Sequence, residues 1–188
     1  DTYFVVAHFH QVLVGGAPVG VPVYGGSAAG LPSAPSLLIP DGFGDSVASA
    51  GDVNADGYAD TIVGDFSQGP FVYDGSAAGL AVAAPVMLET RGSRAVASAG
   101  DVNGDGYADV IIGVPYSGGS TAVVYHGAIA GLPAAPSLTL YDPASPLHIG
   151  FGTSVASAGD VNGDGYADVI VGAPIEDRDV RDDGNAFV

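Results

Sequence analysis

The chain has 188 residues, 30 of them glycine and 13 proline, and 21 acids set against four arginines give it a formal charge of −17. That balance excludes nucleic acid and anionic membranes as partners, since both select for clustered Lys and Arg. No apolar run is long enough to span a bilayer, no basic leader opens the chain, and the absence of cysteine removes disulfides and thiol chemistry.

In chain order, the first tract is Asp1-Thr2-Tyr3-Phe4-Val5-Val6-Ala7-His8-Phe9-His10-Gln11-Val12-Leu13. It resembles the haem-ligating segment of cytochrome c oxidase subunit I, which would make His8 and His10 the iron ligands. Nothing else in the chain could build the apolar helical bundle that such a haem site needs. The tract is therefore read as solvent-facing strand residues, a junction or a sequence-assignment artefact, residues 1–12 forming an atypical N-terminal segment. Strands are expected next at Val14–Pro18, Val19–Tyr24 and Ser36–Ile39, a partial unit over 13–40.

A repeat then sets in. Ser46–Gly51 is a small-residue run, followed by an Asp-rich loop and an aliphatic run at Thr61–Gly64. The pattern returns at Ala95–Gly100 with Val110–Gly113, and at Ser154–Gly159 with Val169–Gly172. Short apolar runs bounded by Gly and Pro predict buried strands. Third strands are expected at Pro70–Tyr73 and Ala122–Tyr125, and weaker fourth strands near Pro85–Thr90 and Ser137–Tyr141. The three loops start 49 and 59 residues apart. Four strands per period of that size is the arithmetic of a β-propeller blade. The expected architecture is all-β, with blades of four antiparallel strands. Units fall at 41–92, 93–142 and, in part, 143–188, making about three and a half blades, fewer than the four to eight of a closed ring. The chain is accordingly read as a fragment, or as a piece that self-associates to finish the ring.

Each loop carries oxygen-bearing side chains at fixed positions. Position 1 is Asp52, Asp101 or Asp160, position 3 is Asn54, Asn103 or Asn162, and position 5 is Asp56, Asp105 or Asp164. Position 9 is Asp60, Asp109 or Asp168, and the main-chain oxygen of Tyr58, Tyr107 or Tyr166 at position 7 would add a fifth ligand. Hard oxygens in a tight loop suit Ca²⁺, and Gly57, Gly106 and Gly165 at position 6 permit the positive φ that wraps the loop. An EF-hand is excluded because position 12 is Val63, Ile112 or Val171 instead of a bidentate Glu. About three Ca²⁺ per chain are expected, bringing the formal charge to roughly −11. Such cages saturate near millimolar calcium, which points to an extracellular or cell-surface setting.

Phe151-Gly152 before the last loop and Gly172-Ala173-Pro174 after it resemble the FG-GAP repeat of integrin α-subunit propellers and their bacterial relatives. The resemblance covers residues 13–188 and implies a ring of about seven blades. It departs from the pattern at Gly92-Ser93, at Gly64-Asp65-Phe66 and, conservatively, at Gly113-Val114-Pro115. It also implies that Glu176–Asp183 lies opposite the calcium loops, on the partner-binding face. With no catalytic constellation visible, the expected function is adhesion or protein/glycan interaction by a calcium-stabilised propeller. The alternatives are an accessory domain of a secreted enzyme and a propeller lectin.

Overall fold

In the computed structural model, residues 4–6, 20–40, 44–116, 119–143, 150–174 and 185–188 are described. They form fourteen strands in four antiparallel meanders, with no helix among the described residues. The first sheet holds β1 (Phe4–Val6), β2 (Gly20–Gly25) and β3 (Leu37–Pro40). The second holds β4 (Ser46–Gly51), β5 (Asp60–Gly64), β6 (Phe71–Tyr73) and β7 (Val86–Met87). The third holds β8 (Ala95–Gly100), β9 (Asp109–Val114), β10 (Thr121–Tyr125) and β11 (Leu138–Tyr141). The last holds β12 (Ser154–Gly159), β13 (Asp168–Ala173) and β14 (Asn185–Phe187). These are propeller blades, and they are called blades 1 to 4 below.

Strand β8 packs against both β4 and β12, so the first strands of blades 2, 3 and 4 stand side by side as an inner layer. The hydrophobic core lies between sheets and not within any one of them. One cluster joins Val21, Val23 and Ile39 of blade 1 to Val63 and Tyr73 of blade 2. A second joins Ile62, Val72 and Leu88 of blade 2 to Val110, Ile112 and Tyr125 of blade 3. A third joins Ile111, Ala122 and Val124 of blade 3 to Phe151, Val171 and Ala173 of blade 4. Successive strand residues point to opposite faces, so Ile62 and Val63 serve different interfaces, as do Ile111 and Ile112. This is why β5 and β9 read as unbroken aliphatic runs: every residue of both is buried. Each such side chain contributes about 1.5–3 kcal/mol of burial.

The signature dipeptides meet between blades. Gly152 sits at φ 89°, and a Cβ on Gly113 of the preceding blade would lie 2.8 Å from the Gly152 carbonyl carbon. Phe151, 2% exposed, fills the space beside Phe187, with ring centroids 5.8 Å apart. In blade 3 the equivalent of Gly152 is Ser93. It is fully buried, and its hydroxyl donates to the Asp65 carbonyl oxygen at 2.9 Å. Asp65 itself replaces the apolar residue that its sister blades bury as Val114 and Ala173, and it caps its turn by accepting the Ser67 and Gln68 amides. The main chain of one departure from the repeat pattern thus satisfies the buried hydroxyl of the other.

Several strand boundaries differ from the sequence reading. The fourth strand of blade 2 is only Val86–Met87, because Pro85 lacks a donor and Leu88 turns inward to be buried. In blade 1 the strand paired with β2 is β1, Phe4–Val6, with Val5 opposite Tyr24, just as Thr61 lies opposite Tyr73 in blade 2. The N-terminal tract, for which a strand was one of the readings, therefore supplies a strand in the second-strand position, where Val14–Pro18 was expected. Val14–Pro18, His8, His10, Phe43, His148 and the 176–183 loop lie outside the described residues.

Candidate metal loops

Each Asp-rich loop connects the first strand of a blade to its second. A bulge precedes it at Ser49/Gly51, Ser98/Gly100 and Ser157/Gly159, where the glycine takes φ of 80°, 79° and 72°. The bulge turns the chain out of the sheet and delivers position 1 to the loop. Positions 4 and 6 are both left-handed. In the second and third loops glycine fills both, but in the first Ala55 holds φ 55° before Gly57 at 91°. The sequence reading placed a left-handed residue at position 6 alone, and Ala55 conceals the second one.

The carboxylates fold over this turn and accept its amides. Asp101 accepts from Gly104 at 2.7 Å, Asp105 at 3.1 Å and Gly106 at 2.9 Å. Asn103 accepts from the Asp105 amide at 3.0 Å, and Asp105 accepts from the Tyr107 amide at 3.0 Å. The third loop repeats every one of these bonds with Asp160, Asn162 and Asp164. The first keeps the same set except the amide of Ala55. Positions 1, 3 and 5 therefore converge on one turn.

Position 9 is set apart. Asp60, fully buried, accepts the Val53 amide at 2.9 Å on one oxygen and the Gly75 amide at 2.7 Å on the other. Asp109 does the same with Val102 at 2.8 Å and Gly127 at 2.8 Å. Asp168 accepts the Val161 amide at 2.8 Å. This residue clasps the loop to the turn after the third strand. Burial raises the carboxyl pKa of Asp60 and of Asp109 above the usual range, against the lowering effect of those amides. Exposed Asp160 is shifted the other way, chiefly by the Gly165 amide.

Among the described residues, no group of three or more His, Asp or Glu side chains is gathered closely enough to hold an ion as it stands. The chemistry of the donor set fits Ca²⁺ nonetheless. Three hard-oxygen side chains share one turn, the Oδ2 atom of each position 1 carboxylate accepts a single amide and keeps a lone pair, and a main-chain oxygen is available at position 7. No helix of the described residues is long and apolar enough to cross a membrane. Tyr73 and Tyr125, which end equivalent strands, are both buried in blade interfaces.

The loops also touch one another. The Ala108 amide donates to the Asp52 carbonyl at 3.0 Å, and the Ala167 amide to the Asp101 carbonyl at 2.9 Å. The Ala128 amide donates to the Val53 carbonyl at 3.0 Å. A Cβ on Gly104 would lie 2.5 Å from the ring of Tyr166. Position 2 registers this cover: Val53 is fully buried beneath blade 3, whereas Val161 of blade 4 is 60% exposed. None of these links was legible in the sequence, since they run through main-chain groups.

Four-stranded blades with an Asp-rich loop between the first two strands, and with Phe151-Gly152 packed on Gly113-Val114 of the preceding blade, define a repeat class. Residues 94–126 and 151–188 match the family model for the FG-GAP repeat. These two stretches of the chain are therefore FG-GAP-like repeats. The chain is similar to integrin alpha-3 from Mus musculus, 46% identical over 59 residues, and to integrin alpha-3 from Cricetulus griseus, 44% identical over 59 residues. In each case the match covers 31% of this chain and 5% of the relative's length.

Proposed function

We propose that the chain is a calcium-stabilised, extracellular propeller segment that serves as an adhesion-type interaction module and not as an enzyme. The observation that carries the calcium reading is the donor set of positions 1, 3 and 5, built three times on one turn with its amides in the same arrangement. The ligand set would be Asp52, Asn54, Asp56, Asp60 and the Tyr58 carbonyl, with the corresponding residues of the other two loops. Bound Ca²⁺ would supply the positive charge that offsets three carboxylates gathered on each short loop. The extracellular setting and the adhesion role rest on the likeness to integrin alpha-3 together with the calcium demand of such loops. The ligand is a protein or a glycan, and further blades, from the same chain or a second copy, would complete the ring.

The test is metal analysis with thermal unfolding. Each filled loop at a tenfold excess of calcium over its dissociation constant adds about 1.4 kcal/mol of stability. Native mass spectrometry should count three ions, Asp105→Ala should remove one, and chelation should lower the melting temperature. A purified chain holding no calcium, with melting unmoved by chelator, refutes the reading. A glycan array with and without chelator then separates glycan from protein ligands.

A further inference from the structure

We propose that the three loops do not take up calcium independently: occupancy of one loop strengthens binding in its immediate neighbours along the blade order. This inference rests on the calcium reading above and concerns how those same sites are regulated. Its basis is a pair of main-chain bonds that run from the first loop, one into the second loop and one into the turn after β10 that holds it. Asp52, the position 1 residue of loop one, gives its carbonyl to the Ala108 amide at 3.0 Å. Ala108 lies between Tyr107 and Asp109, the position 7 and position 9 residues of loop two. Val53 gives its carbonyl to the Ala128 amide at 3.0 Å, and the neighbouring Gly127 amide donates to the Asp109 carboxylate at 2.8 Å. The position 9 carboxylate of loop two is thus bracketed, one residue away on each side, by contacts to loop one.

The second junction repeats the first of these bonds. The Asp101 carbonyl accepts from Ala167 at 2.9 Å, and Ala167 lies between Tyr166 and Asp168 of loop three. Tight packing reinforces both links. A Cβ on Gly51 would lie 2.5 Å from the Ala108 Cβ, and one on Gly100 would lie 2.6 Å from the Ala167 Cβ. There is no slack at these contacts for one loop to shift without the next. Ordering one loop therefore fixes main-chain groups that flank ligands of its neighbour, and the neighbour then loses less entropy when it binds. Electrostatics acts the other way, because a filled loop presents less negative potential to the next one. That opposition is limited: each loop's three carboxylates exceed the ion's charge, and salt screens the remainder over about 8 Å at physiological ionic strength.

The coupling is between nearest neighbours. Among the described residues, the main-chain hydrogen bonds between loops join loop two to loop one and loop three to loop two. Thermodynamic reciprocity requires each link to work equally in both directions.

The experiment is a calcium titration at 0.15 M NaCl followed by amide NMR. Gly57, Gly106 and Gly165 report their own loops, because each amide donates to the position 1 carboxylate of its loop. In the Asp105→Asn variant, the midpoints at Gly57 and Gly165 should both move to higher calcium by about fivefold or more. In the Asp164→Asn variant, the Gly106 midpoint should move similarly and the Gly57 midpoint much less. General loosening of the fold would move both surviving loops alike, so this gradient separates the two explanations. Asp164 lies in the most exposed loop, so its variant keeps the test open if Asp105→Asn does not fold. Midpoints of the surviving loops unchanged in a folded variant overturn the coupling while leaving the calcium reading intact. No calcium response at any of the three glycines in the parent chain overturns both.

Discussion

Gly64, Gly113 and Gly172 occupy the same position in three blades but face different neighbours, so one substitution made three times separates packing from propensity. A Cβ on Gly113 would drive into the Gly152 carbonyl, with the carbonyl carbon at 2.8 Å and the α-carbon at 3.2 Å. Both sides of that contact are main chain and the carbonyl oxygen is nearer still, so relief requires blades 3 and 4 to separate by roughly 1.5 Å to reach the 3.4–4 Å of ordinary contact. The cost should reach about 3 kcal/mol, the upper end for overpacking. At Gly64 the nearest atoms are a Val96 methyl at 3.1 Å and the Ser46 carbonyl at 3.4 Å. At Gly172 the near obstacle is the Ser154 hydroxyl, which can rotate away. None of the three has a positive φ, so alanine introduces no backbone strain. Gly→Ala also removes unfolded-state entropy worth about 0.4–1 kcal/mol, which should leave Gly64→Ala and Gly172→Ala within ~1 kcal/mol of the parent. In thermal unfolding at fixed calcium, Gly113→Ala should lower the midpoint by about 6–12 °C and the other two by a few degrees at most. Equal effects at all three positions would refute the claim that blade contact is set by that glycine pair.

Ala55→Gly should raise stability by roughly 0.5–1 kcal/mol, because alanine is held at φ 55° where the sister loops have glycine; urea unfolding at saturating calcium checks this, and a loss of stability would contradict it. Tyr125→Phe should cost about 1–3 kcal/mol, since it strands the Thr90 hydroxyl that bonds to Tyr125 in the interface of blades 2 and 3. Adding Thr90→Val should recover part of that loss in a double-mutant cycle. In calcium-free buffer, Asp60 and Asp109 hold protons more tightly folded than unfolded, so their contribution is greatest at low pH and is lost as pH rises through their raised folded values. Stability without calcium should therefore increase as pH falls through those raised values, helped by relief of the −17 self-repulsion. A urea midpoint that falls steadily over that range would exclude this assignment.

The repeat made the blades legible because the apolar runs and bulge glycines recur in register with the loops. Ser46–Gly51, Ala95–Gly100 and Ser154–Gly159 emerge as strands with the predicted bounds. What escaped was whatever lacks a side-chain signature. The β1 strand hides in a tract that resembles another protein, and its place follows only from pairing with β2. The position 9 carboxylate reads as one more ligand, yet both oxygens of Asp60 already hold amides that a motif does not display. Ser93 and Asp65 each look like a departure from the repeat, and only the fold shows that they face one another across a blade boundary.

That last contact bears on how a chain of near-copies assembles in the correct order. β4 and β12 share the sequence Ser-Val-Ala-Ser-Ala-Gly, so strand pattern alone would let one unit dock where another belongs, a familiar misfolding route for repeats. A misplaced blade 3 would bring Ser93, with its Cβ, to the place beside Gly113 where only a glycine fits. A misplaced blade 4 would leave the Asp65 carbonyl without the Ser93 hydroxyl. The irregular serine acts as an address label, keeping blade 3 from docking where blade 4 belongs.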